Sequence, residues 1–299
     1  MTALCRKRIV QTFFDGAILL FLLATTPLPA RALPVDDRVP GGIAVIPLAD
    51  MTRPEVYLEQ QRVLVIGSPG RWHAVAGIGL DVAPGEFSVQ VGKPGTARRI
   101  SLKVLPRDYP TQHIQIQDQR KVEPLPGDLQ RIELETARMA AVKAQWTELE
   151  DPALDLRQPV AGEISGNYGL RRIFNGQPRQ PHGGMDIVAP KGTTVTAAAA
   201  GRVALVGDFF FNGNTVFIDH GQRLLTMYCH LDRVQVKPGE TLVAGTPIGA
   251  VGQTGRATGP HLHWGVYLNG TAVNPQLLLS ATAPRGAGQA RPATDATSR

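Results

Sequence analysis

Two cysteines in 299 residues, Cys5 and Cys229, rule out a disulfide framework. Long apolar runs are also missing. The one near the amino terminus (17–24) is limited by Asp15 to roughly ten residues, against the ~20 a spanning helix needs. Basic stripes interleaved with aromatics are absent, which excludes a nucleic-acid surface. No His-Glu-x-x-His occurs, so the helical metalloprotease arrangement with its glutamate base is excluded as well.

What is present begins with a leader. Arg6-Lys7-Arg8 is a basic start, residues 17–24 an apolar core, and Ala30-Arg31-Ala32 a small-residue cleavage site. Residues 1–32 therefore read as a secretory signal cleaved after Ala32, with no membrane insertion afterwards. Cys5 leaves with it, and the remaining lone thiol leaves stability to packed cores and a metal. The leader carries +3 of the formal net charge of +6. The mature +3 is a mild bias toward an anionic polymer such as cell wall.

Residues 39–120 read as short strands. Phe87, Val89 and Val91 alternate with Glu86, Ser88 and Gln90, and after a Lys93-Pro-Gly95 turn Ile100, Leu102 and Val104 alternate with polar residues. With apolar stretches near 42–46, 63–66 and 72–78, this predicts a small immunoglobulin-like β-sandwich. His73 and His113 fall inside it as structural or surface residues. Residues 127–150 predict a connecting helix, with Asp128 as its N-cap and Leu129, Ile132, Met139, Val142 and Trp146 as its apolar stripe. Residues 156–279 return to strands and turns, including a hairpin around Phe211-Asn-Gly-Asn-Thr215. Residues 280–299 hold no large apolar side chain and predict a disordered tail. The fold class expected is mainly β.

The chemistry gathers in 156–279. His261 and His263 flank Leu262, so on a strand both imidazoles share one face. His182 and Asp186 are four apart across Gly183-Gly184, a spacing that again puts both on one side of an extended segment. Two imidazole nitrogens and a carboxylate oxygen make the three-protein donor set of a catalytic zinc, with one position left for water. Cys229 and His230 are strand neighbours and face opposite ways, which favours a buried structural thiol over a nucleophile. His220, at a turn, reads as structural. Arg171-Arg172 and the aromatics 209–211 suit either a substrate groove or ordinary packing.

His182-Gly-Gly-Met-Asp186, Tyr228-Cys-His-Leu231 and Gly259-Pro-His-Leu-His-Trp264, with the lead-in Ser165-Gly-Asn-Tyr-Gly169, resemble the motifs of lysostaphin/LytM-type zinc metallopeptidases, which cleave peptides of bacterial peptidoglycan. The likeness covers about residues 163–275, and the preceding β region resembles, more weakly, a module of some exported members. It implies an antiparallel β metallopeptidase domain related to half-barrel carrier folds. It also implies one zinc per chain on His182, Asp186 and His263, with His230 and His261 beside the activated water. Which of the two takes the proton stays open.

The resemblance implies an exported endopeptidase, periplasmic or secreted, acting on peptidoglycan peptides. D-Ala–diaminopimelate cross-links, oligoglycine bridges and stem peptides all remain candidates. Some relatives are inactive wall-binding activators, which would lack metal or base residues, and none is missing here. The Val236–Gly249 stretch looks like a lipoyl or biotinyl carrier but has no modifiable lysine turn, so that likeness is one of geometry. The β-rich amino-terminal region is expected to present the enzyme to the wall rather than shade its cleft.

Overall fold

The computed structural model describes residues 32–280 apart from Pro94 and Glu150. The leader through residue 31, the tail from residue 281 and the tip of the 93–95 turn lie outside the described residues. The chain is mainly β with one long helix.

Seven strands come first: β1 (Ile43–Leu48), β2 (Val56–Leu58), β3 (Gln61–Arg62), β4 (Leu64–Ser68), β5 (Arg71–Gly77), β6 (Gly85–Val91) and β7 (Arg98–Val104). They form two antiparallel sheets, ordered β1-β5-β4 and β3-β2-β6-β7. In the β6–β7 hairpin Phe87 lies opposite Leu102 and Val89 opposite Ile100. One face is buried, as the alternation requires.

The β1-β5-β4 sheet is buried on both faces. Ala44, Ile46, Val65, Ala74 and Ala76 meet Phe87, Val89 and Val91 between the two sheets. The alternate residues Ile43, Val45, Leu64, Ile66 and Val75 enter a second core with Met185, Ile187, Tyr228, Trp264 and Leu268. Burying each Val, Ile or Leu contributes about 1.5–3 kcal/mol, so the two halves of the chain share a substantial part of their stability. Side-chain amides close the seam: Gln222 Oε1 accepts the Val65 N–H at 2.9 Å, and Asn269 bonds both the N–H and the carbonyl of Gly77 at 2.6 and 3.2 Å.

Next come β8 (Thr111–Ile114) and α1 (Pro126–Ala144). Asp128 is not the N-cap. Leu125 holds that position, and the Asp128 carboxylate reaches back from the first turn to accept the Leu125 N–H at 3.0 Å and pairs with Arg120. The helix ends before Trp146, which stacks under Arg62 at 4.1 Å. Met139 and Val142 pack against Phe217, Leu225, Met227 and Tyr267, whereas Leu129 stays exposed.

The remaining strands are β9 (Glu163–Gly166), β10 (Arg171–Phe174), β11 (Gln177–Pro178), β12 (Met185–Val188), β13 (Thr194–Thr196), β14 (Gly201–Phe209), β15 (Gly213–Asp219), β16 (Leu225–Val234), β17 (Thr241–Leu242), β18 (Pro247–Val251), β19 (His261–Leu268) and β20 (Thr271–Val273). Their main sheet runs β17-β14-β15-β16-β19-β12-β9, and β10 joins β11 and, in parallel, β8. Among the described residues no helix is long and apolar enough to cross a membrane.

Candidate active site

β12 and β19 are antiparallel neighbours, with Asp186 directly opposite His263 and Val188 opposite His261. Cross-strand partners stand about 5 Å apart and point to the same face, so this register alone brings Asp186 to His263. His182 arrives from the loop before β12. Its backbone is fixed by His182 N–H to Leu170 O at 2.9 Å and Gly169 N–H to His182 O at 2.8 Å.

Three atoms then converge. His182 Nε2 is 3.0 Å from Asp186 Oδ1 and 2.9 Å from His263 Nδ1, and His263 Nδ1 is 2.8 Å from Asp186 Oδ1. His182 Nδ1 lies 2.8 Å from the Asn167 carbonyl and must donate to it. A neutral His182 therefore turns a lone pair toward a carboxylate oxygen, an arrangement that needs a cation or proton between them. A divalent ion satisfies all three donors, and two nitrogens with one oxygen suit zinc. Burial alone would raise the Asp186 carboxyl, but a proton or cation shared with His182 and His263 holds it well below the usual carboxylate range. Arg172 donates to the other carboxylate oxygen, Oδ2.

Two glycines make room for the cluster. A Cβ at Gly184 would sit 2.7 Å from the His263 ring and 2.6 Å from Trp264 O, and one at Gly166 would sit 2.5 Å from Asp186 Oδ2. Both are closer than any side chain tolerates.

His230 and His261 face the same site, their ring centroids 4.8 Å apart. His230 is buried and has a left-handed φ of 62°. Strand β16 changes partner there: Cys229 still pairs with His263 on β19, while Leu231 pairs with Val251 on β18. That backbone costs a non-glycine residue about 1–2 kcal/mol, and it points the imidazole into the cleft. His230 Nδ1 donates to Thr254 O and His261 Nδ1 to Gly259 O, each at 2.8 Å, which leaves the Nε2 side of each ring for the site. Burial, with repulsion from His261 and His263 added, pushes the His230 imidazole down to about 3. The ring is neutral at ordinary pH. Burial likewise lowers His263, to about 4.

A cleft of about 160 Å³ opens over these groups, lined by Arg172, His182, Phe211, His230, Arg256 and His263 among others. Of the arginine pair singled out in the sequence, Arg172 lines it while Arg171 points to solvent, 3.9 Å from Asp108. Phe209 and Phe210 are packed away and only Phe211 reaches the cleft. Glu135 of α1 holds that turn by accepting the Phe210 N–H at 2.7 Å. Cys229 is buried beside Asn212, its thiol pushed up to about 12 by burial. Both ring nitrogens of His220 are occupied at 2.7 Å, by Ala200 O and Thr226 Oγ1.

Sequence reasoning missed Arg256 and the closeness that Gly166 and Gly184 allow. A lone cation in the Gly255–Gly259 loop just before the His261 strand was the available signal for the first. Nothing local announces the second, because the neighbours of Gly166 come from another strand.

Residues 180–275 match the description of peptidase family M23, and residues 36–107 that of the peptidase family M23 N-terminal domain. A crystal structure from Pseudomonas aeruginosa assigned to peptidase M23 superposes with a TM-score of 0.69 at 37% identity, covering 82% of this chain and 96% of that one. Peptidoglycan DD-endopeptidase ShyC of Vibrio cholerae is 44% identical over 124 residues, 40% of this chain and 28% of that protein. The DD-carboxypeptidase/endopeptidase Mpg of Neisseria gonorrhoeae is 44% identical over 126 residues, 42% of this chain and 29% of that protein. The chain thus spans less than a third of the length of these two curated relatives.

Proposed function

From the chain's membership of peptidase family M23, we propose that it is a zinc-dependent endopeptidase that hydrolyses peptide bonds of bacterial peptidoglycan, exported to the periplasm or secreted. The observation that carries this reading is the convergence of His182 Nε2, Asp186 Oδ1 and His263 Nδ1 beside two further imidazoles with free Nε2 atoms. We assign His182, Asp186 and His263 as the metal ligands and His230 and His261 as the acid–base pair. The names of the Vibrio and Neisseria proteins support a cross-link between D-amino acids as the bond cut.

A zinc ion bound there lowers the pKa of water to about 7 and polarises a peptide carbonyl. The chain's own groups do the rest. His230 and His261, each held through Nδ1, offer Nε2 to take a proton from water and return it to the leaving amine. Protonated on that nitrogen, either one can donate to the oxyanion of the tetrahedral intermediate. Arg172 fixes the Asp186 carboxylate, so the ligand does not swing away as charge develops.

Residues 156–279 are proposed as the peptidase domain. Residues 39–120 are proposed as a module that presents it to the wall, joined through 127–150. Incubating the zinc-loaded protein with purified sacculi and analysing the released muropeptides by mass spectrometry tests the activity. Cross-linked dimers should be lost and monomers should accumulate, and a chelator should abolish both changes. Unchanged dimers with zinc bound would refute the reading.

A further inference from the structure

Arg256 is a half-buried cation that meets no anion among the described residues. Its guanidinium carbon lies 4.3 Å from the centre of the Phe211 ring and 4.6 Å from that of Phe174. Among the described residues the guanidinium makes one hydrogen bond, a long contact of 3.4 Å from Nη1 to the Lys121 carbonyl. Among the described residues no carboxylate comes within 4.0 Å of it. Other arginines differ: Arg98, Arg107, Arg120 and Arg131 each grip an aspartate or glutamate.

The surroundings add positive charge rather than cancel it. Burial, with Arg172 and Arg179 contributing, lowers the Arg256 guanidinium to about 10. Arg172 lines the same cleft and spends one nitrogen on Asp186, and its Nε is buried without a partner. Uncompensated buried charge is costly unless something pairs with it. The loop is nonetheless built to hold Arg256 in place, with its N–H on Phe211 O at 2.8 Å. Stacking on rings covers the faces of a guanidinium and leaves its N–H edge for a carboxylate.

We propose that Arg256, assisted by the free Nε of Arg172, is a subsite for a carboxylate of the substrate peptide, so that the enzyme selects peptides bearing a free carboxylate close to the scissile bond. The inference rests on the peptidase reading of the cleft. The carboxylate has two possible sources, a side chain or a chain terminus.

The test uses the full zinc-loaded chain and acidic peptides in which each carboxylate is converted in turn to a carboxamide. Wild type should lose kcat/KM on the order of 10-fold or more for one conversion only, the scale of a charge-assisted hydrogen bond. The converted position names the source. Arg256→Gln should erase that preference while cleaving the carboxamide peptide within about twofold of wild type, and Arg256→Lys should keep part of it.

Calorimetric affinity for the uncleaved product peptide supplies a readout independent of turnover. Wild type should bind the carboxylate form more tightly than the carboxamide, and Arg256→Gln should bind both alike. A preference that survives in Arg256→Gln, equal binding of both forms by wild type, or an equal fall on both peptides would overturn the subsite. Should Arg256→Gln fail to fold, Arg256→Lys and Phe211→Leu decide the matter by the same comparison. Absence of cleavage by wild type with a carboxylate preference intact in calorimetry would refute the peptidase reading and leave the subsite standing.

Discussion

The β6–β7 hairpin packs face to face with the β1-β5-β4 sheet and is built of similar residues, but only the hairpin keeps a wet face. In the hairpin Glu86 and Gln90 are exposed between Phe87, Val89 and Val91. In β1 the run from Ile43 to Ile46 is buried throughout, its odd and even members serving different cores. A strand buried on one face writes an alternating sequence, while one buried on both writes a continuous apolar run. The difference identifies the three-stranded sheet as the element through which the amino-terminal strands and the catalytic strands share a core.

Removing the shared element should have the largest effect. A chain beginning at Leu156 uncovers Met185, Trp264 and Leu268, loses β8 from the side of β10, and takes away the Lys121 and Val122 carbonyls that Arg256 and Arg179 touch. It should lose a cooperative thermal transition and precipitate, read by calorimetry and light scattering. A soluble, cooperatively melting fragment would show that the catalytic strands are self-sufficient.

Single substitutions sharpen the contrast. Leu64→Ala removes a fully buried side chain from the shared core and should cost about 2–5 kcal/mol. Leu102→Ala, partly buried on the hairpin, should cost about 1 kcal/mol. Urea unfolding followed by near-ultraviolet dichroism and by an amino-terminal probe should give coincident curves for Leu64→Ala. Separated curves would mean the halves unfold independently.

Acid gives an effect of the same order as the hairpin substitution. His220 is buried and its pKa is lowered, chiefly by burial. The unfolded chain therefore binds a proton that the native ring refuses. The contribution is complete above the unfolded value of about 6.5 and is lost as pH falls below it, with a slope approaching about 1.4 kcal/mol per pH unit. Melting at pH 7.5 and 5.5 should show a larger acid loss in wild type than in His220→Gln. If the core is shared, the amino-terminal probe should report that loss as well.

The amount legible in the sequence follows from how local each feature is. The β6–β7 hairpin and the β14–β15 hairpin were readable because turn and alternation lie within a few residues. Even spacing put His182 with Asp186 and His261 with His263 on a shared face, but it carried no sign that Asp186 would stand opposite His263, which the family likeness alone suggested. The two-sided burial of β1 was not read, although its unbroken apolar run carried the signal. Asp128 was read as the N-cap from its residue type just ahead of the apolar stripe, but the helix starts earlier, with Leu125 as its N-cap, and the Asp128 side chain reaches back from inside the first turn. The left-handed backbone of His230, the room left by Gly166 and Gly184, and an Arg256 without a carboxylate among the described residues depend on which strands meet, and no local pattern encodes that.

Bound zinc and muropeptide release, measured in the same samples, separate the proposed metal ligands from the proposed acid–base pair. Wild type should hold about one zinc, and His263→Ala should lose both metal and activity because two remaining ligands make a weak site. His230→Ala should keep its zinc and lose turnover by on the order of 10²-fold or more. Wild-type zinc in His263→Ala, or near-full turnover in His230→Ala, would contradict these roles.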